Sequence, residues 1–203
     1  MAGMGGARAA IAARNLVDAG VAGLMSFGLA GGLDPCLRAG SIVLPSEVMS
    51  REGARFLTAE AWRERLRLGI AKQRPVAGGK MLTSPTPIGS IADKAAAFRA
   101  TGAVAVDMES LAIAEVAAAH RLPFVAVRVI VDTAMDVLPP AVLAASHGGP
   151  LNIPRLIGAL AAAPMDVFAL IRLAHRYRAA TRSLAAAARA GLLMQIAAGA
   201  RVA

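Results

Sequence analysis

Residues 103–118, AVAVDMESLAIAEVAA, are apolar apart from a lone Glu115 and a polar interruption at Asp107-Met108-Glu109-Ser110. Before the interruption small apolar residues alternate with valine, as in a buried strand, and after it an alanine-rich helical pattern begins. A strand that turns directly into a helix is the unit of a layered α/β domain. The local reading of the polar residues is capping. Asp107 would be the N-cap, with Glu109 in the first turn, where negative charge meets the positive end of the helix dipole. Two carboxylates and a hydroxyl at an otherwise buried junction also fit a ligand site, and the rest of the chain has to decide between the two.

Working outward, Ala7–Val17 reads as a helix that stops at Asp18-Ala19-Gly20. Val21–Phe27 is a buried strand ending in glycines, and Ser41–Leu44 is a second strand stopped by Pro45. Ala59–Leu68 is a charged surface helix, Val76–Leu82 a strand, and Ser90–Ala100 a helix after the turn residues Pro85-Thr86-Pro87. Val104–Val106 is the fourth strand and Ser110–His120 its helix, while Pro123–Val131, PFVAVRVIV, is the clearest β-branched strand. Residues 139–154 form a proline- and glycine-punctuated loop, with helices alone from Arg155 onward. The expectation is one domain over residues 1–203, with a helical, cationic segment at 150–203.

The chain has 203 residues, enough for one sizeable core. Alanine supplies much of its 57% hydrophobic content. Charge-free stretches such as Val21–Leu33 fall short of the roughly 18–20 apolar residues of a membrane span. Arg8 and Arg14 interrupt the N-terminal region, so no signal-peptide pattern is seen. Cys36 is the single cysteine, which excludes an internal disulfide and any cysteine-cluster metal site. His120, His147 and His175 lack metal-ligand spacing. A cytoplasmic protein without metal or cofactor is expected. The net charge of +9, mostly arginine, points to an anionic partner. With 3% aromatics and no basic-aromatic motif, nucleic acid fits poorly and an anionic membrane surface fits better.

Three polar spots occupy equivalent places: GLAGGLDP after the first strand, DMES after the fourth and VDTAMD after the fifth. Ligands of open α/β sheets bind outside the carboxyl ends of strands, so these spots converge on one site. Gly28, Gly31 and Gly32 lack a Cβ, which permits positive φ and close approach of backbone N–H groups to a ligand.

Taken together, GLAGGLDP, SIVLPSEV, VAVDMES and VRVIVD resemble the nucleoside phosphorylase superfamily from about Met4 to Met135. Its nucleosidase branch includes the methylthioadenosine/S-adenosylhomocysteine nucleosidases. SFGLAGGLDPCLRAGSIVLP, AVDMES and the arginine-rich tail after LPPA resemble the hopanoid-associated phosphorylases more narrowly. The resemblance implies a three-layer αβα fold around a central mixed sheet. Met1 stands inside what resembles the loop after the family's first strands, as AGMGGARAA, so the first strands are expected to be missing from the chain as given.

The resemblance also implies the chemistry: release of adenine from adenosylhopane by cleavage of the N-glycosidic bond. A soluble methylthioadenosine-type nucleosidase and a truncated, inactive interaction protein are the rivals. Glu109 matches a glutamate that grips ribose hydroxyls and stabilises oxocarbenium-like charge. Met108 would pack along the sugar, and Asp132 would protonate purine N7 so that adenine leaves neutral. Asp132 has to be raised from its free value of about 3.9 for that role, and burial acts in that direction. Asp107 remains a cap.

Leu29 stands before Ala30-Gly31-Gly32 where the nucleosidases carry a hydroxyl, Val131 stands where serine is frequent, and near Pro87-Ile88 a base-stacking aromatic is replaced. These exchanges suit a bulky lipid-linked nucleoside. No arginine near the glycine loop is assigned to phosphate, since Arg38 and Arg51 lie too far along, so phosphate stays open as co-substrate. In the tail, Leu173, Tyr177 and Leu184 form one helical face, with Arg178, Arg182 and Arg189 on another. Such a helix is either an ordinary packing helix or a peripheral dock on anionic lipid at the inner membrane surface. A homodimer is implied by the resemblance.

Overall fold

The structure, a computed structural model, describes residues 4–72, 74–138, 176–178 and 180–189. In chain order the elements are α1 (Met4–Asp18), β1 (Leu24–Gly32), β2 (Ile42–Val43), β3 (Glu47–Met49), β4 (Arg55–Leu57) and α2 (Glu60–Ala71). They continue with β5 (Val76–Ala77), β6 (Lys80–Thr83), α3 (Ile91–Thr101), β7 (Ala103–Asp107), α4 (Ser110–Ala119) and β8 (Phe124–Asp132). The strands form one mixed sheet in the order β4-β3-β6-β7-β1-β8-β2-β5. The expected α/β architecture is present.

β8 is the axis of the sheet. Its apolar run is buried on both faces, as a strand covered by helices requires. It pairs in parallel with β1 from Leu24↔Phe124 to Ala30↔Ile130. The register then shifts, so that Gly31 stands opposite Asp132. On the other edge of β1, β7 is bonded at Gly31 and Gly32, the only β1–β7 pairing among the described residues. Alanines of α1 and α4 (Ala13, Ala114, Ala117) pack on one face of the sheet with Leu24, Ala126 and Ile130. Leu66 and Ile70 of α2, with Ala180 and Ala187, pack with Val125, Val127 and Val129. Small side chains bring the helices close to the sheet, so truncation of a larger partner such as Ile130 to alanine is expected to cost about 2–5 kcal/mol.

Several boundaries differ from the expectation. β1 begins at Leu24 rather than Val21 and runs on through its glycines to Gly32, because β8 supplies a ladder along its length. The expected strand Val76–Leu82 is two strands, one paired with β2 and the other lying between β3 and β7. Gly79, with φ of +115°, makes the break in a conformation that favours glycine. β3 and β4 are three residues each, too short to leave a periodicity. The loop 139–154, Leu173 and the helices expected between Arg155 and His175 lie outside the described residues.

Residues 180–189 are helical, but the buried positions are Ala180, Ser183 and Ala187, while Tyr177 is 52% exposed. Of the expected face Leu184 does pack against the core while Tyr177 does not, and the alanines beside Leu184 are already spent on the core. Arg178, Arg182 and Arg189 are exposed. Among the described residues no helix is long and apolar enough to cross a membrane.

Candidate active site

A cavity of about 200 Å³ opens where the ends of β1, β7 and β8 meet. Its walls are Leu29, Ala30 and Gly31 from β1, Val106 to Glu109 from the β7–α4 junction, and Val131 and Asp132 from β8. Thr86, Pro87, Ile88 and Leu138 close it. Seven of the expected site residues are thus brought together: Asp132, Glu109, Met108, Ala30, Gly31, Ile88 and Val131. Gly28 and Gly32 are not among the lining residues.

Of the two reasons expected for the glycines, positive φ is not met. Neither Gly28, Gly31 nor Gly32 has a positive φ, since all three are extended in β1. Space is what they provide. A Cβ at Gly28 would lie 2.6 Å from Arg128 Nη1, and one at Gly31 would lie 3.2 Å from Asp132 Oδ2. Gly5, in the first turn of α1, belongs to the same group, because its Cβ would meet Glu109 Oε1 at 2.9 Å.

Asp107 is not the expected N-cap: α4 begins at Ser110, so Glu109 takes the cap position, with no side-chain cap bond, and does not lie in the first turn. Asp107, two residues earlier, still accepts from the Ser110 N–H through Oδ2 at 3.1 Å. It also accepts from Thr83 Oγ1 at 2.7 Å through Oδ1, and Arg128 donates to Oδ2 from Nε at 2.8 Å and Nη2 at 2.6 Å. Arg128 Nη2 reaches the hydroxyls of Ser26 and Ser110 as well, at 2.6 and 2.8 Å. All of these groups are buried. A buried guanidinium needs such partners, and Asp107 supplies the charge.

Glu109 follows in the half-buried rim of the cavity. Burial raises its carboxyl above the usual range, the Asp107 charge adds to this, and Arg128 acts in the opposite sense. At the end of β8, Asp132 is buried and bonded to Lys94, whose Nζ donates to Oδ2 at 2.5 Å. Burial raises the Asp132 carboxyl as well, and the Lys94 charge and hydrogen bond partly offset it. The arrangement therefore offers a carboxyl poised to hold a proton and, across the cavity, a second carboxyl suited to hydroxyl groups or positive charge. Among the described residues no three His, Cys, Asp or Glu side chains are grouped as a metal centre needs.

Sequence reasoning missed Arg128, Lys94, Thr83 and Ser26. Arg128 carried a signal, since a guanidinium inside VAVRVIV has to be paired when the strand is central. Lys94 carried none, because a lysine in an alanine-rich helix reads as solvated.

Residues 1–148 match the phosphorylase superfamily. No curated protein matches. Among solved structures, a candidate methylthioadenosine nucleosidase from Weissella paramesenteroides is 27% identical, with a TM-score of 0.61. That likeness covers 64% of this chain and 66% of the other. The 5′-methylthioadenosine/S-adenosylhomocysteine nucleosidase of Neisseria meningitidis, in complex with methylthio-immucillin-A, has a TM-score of 0.70 at 19% identity. There the likeness covers 94% of this chain and 78% of the other. Futalosine hydrolase of Helicobacter pylori is similar at 17% identity and a TM-score of 0.60, over 64% of each chain. The chain thus spans slightly less than two thirds of the first of these relatives. With a mixed sheet whose strand ends converge on one cavity, and a match that runs from Met1 to beyond Asp132, the chain belongs to the phosphorylase superfamily.

Proposed function

We propose that this protein cleaves the N-glycosidic bond of an adenine nucleoside carrying a large apolar 5′ substituent, with adenosylhopane as the substrate. The observation that carries the reading is the placement of two burial-raised carboxyls, Asp132 and Glu109, on the walls of one cavity.

In this reading Asp132 donates its proton to purine N7 while the C1′–N9 bond breaks and its electron pair passes to the base. Glu109 accepts hydrogen bonds from the ribose hydroxyls and stabilises the positive charge growing on the sugar. An oxygen of water or of phosphate then forms the new bond to C1′, and the proton released when water attacks balances the one that Asp132 gave to the base. The superfamily match and the relatives that act on or bind 5′-thioadenosines support a purine nucleoside. Leu29, Ile88, Val131 and Leu138 give the cavity apolar walls. A larger cavity of about 620 Å³ shares Thr86-Pro87-Ile88 with it and has room for a bulky group, with Arg51, Glu52 and Asp93 among its lining beside Ala96, Ala97 and Ala100.

Homodimerisation and contact with an anionic membrane belong to the same proposal, the latter resting on the exposed arginines 178, 182 and 189. The test is incubation with adenosylhopane and, separately, methylthioadenosine, each with and without phosphate. Free adenine with ribose-type product, or with a ribose 1-phosphate, separates hydrolysis from phosphorolysis. Faster release from methylthioadenosine would overturn the lipid-linked substrate, and release from neither would overturn the reading as a whole.

A further inference from the structure

We propose that Lys94 is a positioning residue for this reaction: it orients Asp132 and drives its proton onto the purine by receiving the carboxylate that donation leaves behind. The inference rests on the proposed glycosidic cleavage and adds a residue to it.

Lys94 lies in α3, a helix otherwise bounded by ordinary devices: a Ser90 cap and a left-handed Gly102. Its side chain is nonetheless 0% exposed. A buried ion pair is weak evidence for stability, because well-packed apolar residues usually serve as well. Function is the better account of its presence.

The ammonium has three protons and three acceptors. Nζ donates to Asp132 Oδ2 at 2.5 Å, to the Thr133 carbonyl at 2.8 Å and to the Asp136 carbonyl at 2.9 Å. The turn from Thr133 to Asp136 is thus wrapped around the charge. It is braced by the Asp136 side chain, which accepts from the Thr133 N–H, from Thr133 Oγ1 and from Arg176. With Oδ2 held by Lys94, Oδ1 is the oxygen left for a ligand in the cavity. Proton donation from Oδ1 to N7 then converts a neutral carboxyl beside an ammonium into a buried ion pair. An attraction that exists only after the proton has moved favours the transition state over the ground state.

The charged groups facing Asp132 are few. Lys94 comes from α3, Asp136 from the turn and Arg176 from the C-terminal helix, where it is engaged with Asp136. Asp107 and Glu109 line the same cavity from the β7–α4 junction, with Arg128 bonded to Asp107. Burial holds Asp132 protonated to higher pH, and Lys94 opposes it.

The experiment is the pH profile of kcat/KM for adenine release by the wild type, Lys94→Met and Lys94→Arg. Turnover needs protonated Asp132, so it falls as pH rises through the titration of that group. Removing the cation favours the protonated form. Lys94→Met is therefore expected to move the alkaline limb up by about 1–3 pH units. Its plateau rate at low pH should drop by about 10²-fold, as an acid loses the stabilisation of its conjugate base. Lys94→Arg, which keeps the charge, should bring the limb back to the wild-type position. A slower Lys94→Met with an unmoved limb would mark a structural role only and overturn the proposal.

Should Lys94→Met not fold, the wild-type protein labelled with ¹³C-aspartate and ¹⁵N-lysine decides. The Asp132 carboxyl and Lys94 Nζ resonances are expected to shift with one shared midpoint, and unrelated midpoints overturn the coupling. A wild type inactive on both nucleosides refutes the proposed function. The resonance midpoints then still report on the pair.

Discussion

Arg128–Asp107 and Lys94–Asp132 are both buried pairs of a basic side chain and an aspartate at the end of a strand, yet they are bonded in opposite ways. Asp107 has both oxygens taken, by Thr83, by the Ser110 N–H and twice by Arg128. Asp132 has Oδ2 held by Lys94 and stands on the wall of the cavity, where burial raises its carboxyl. A saturated carboxylate can only hold things in place. One whose cation holds a single oxygen can exchange a proton. The two strand ends, on either side of β1, have thus divided architecture from chemistry.

The largest effect that would break this division is expected at the saturated pair. Arg128→Met leaves Asp107 charged and buried, and should cost about 3–5 kcal/mol in urea unfolding. Asp107→Asn should likewise lose far more than the few tenths expected for exchanging one good cap for another. A near-silent Asp107→Asn would return Asp107 to the capping role that its sequence position suggests.

That contrast marks how much was legible beforehand. The alternation of strands and helices, the strand PFVAVRVIV and the junction at DMES were readable because apolar periodicity and caps are local properties. The convergence of Asp132 and Glu109 on one cavity followed from the rule that open sheets bind ligands at strand ends. The partners of the carboxylates were not readable. Lys94 and Asp132 are 38 residues apart, and the lysine sits in a helix of low amphipathicity. The positive φ expected of the β1 glycines is absent, since nothing local distinguishes a glycine needed for φ from one needed to admit a guanidinium. β5 and β6 read as one strand because only Gly78-Gly79 separates two apolar-bearing segments, although the sheet sends them to different neighbours.

A smaller but sharper test lies across the cavity. Glu109→Gln keeps shape and loses the negative charge, so both affinity and rate should suffer, with kcat/KM for methylthioadenosine or adenosylhopane down by about 10²–10³-fold. A change in KM alone would leave Glu109 as a binding group without a role in charge stabilisation.

The pH dependence of stability follows from the same burial. Asp132 and Glu109 both hold their protons more tightly in the folded state than in the unfolded chain. Their contribution is full below the unfolded values, near 4, and is lost as pH rises through the raised folded values. Urea midpoints measured from pH 4 upward should fall more steeply in the wild type than in Asp132→Asn or Glu109→Gln. A wild-type slope unchanged by both substitutions would show that neither carboxyl is raised.

The smallest effect is expected at the C-terminal helix. Its alanines already pack on the sheet, so Arg178 and Arg182 offer charge without an apolar anchor. Reversal of both charges should abolish any salt-sensitive flotation with anionic vesicles, at about 1 kcal/mol per side chain. Flotation that survives the reversal would remove these arginines from membrane contact.

The central claim is that Asp132 delivers the proton. It is tested most directly by adenine release under single-turnover conditions from adenosylhopane or methylthioadenosine, beside equilibrium binding of the same nucleoside. Asparagine at position 132 can still accept from Lys94 and face N7, but it has no acidic proton to give. Asp132→Asn is expected to bind with near wild-type affinity and to release adenine about 10²–10⁴-fold more slowly. Release at the wild-type rate would contradict the account.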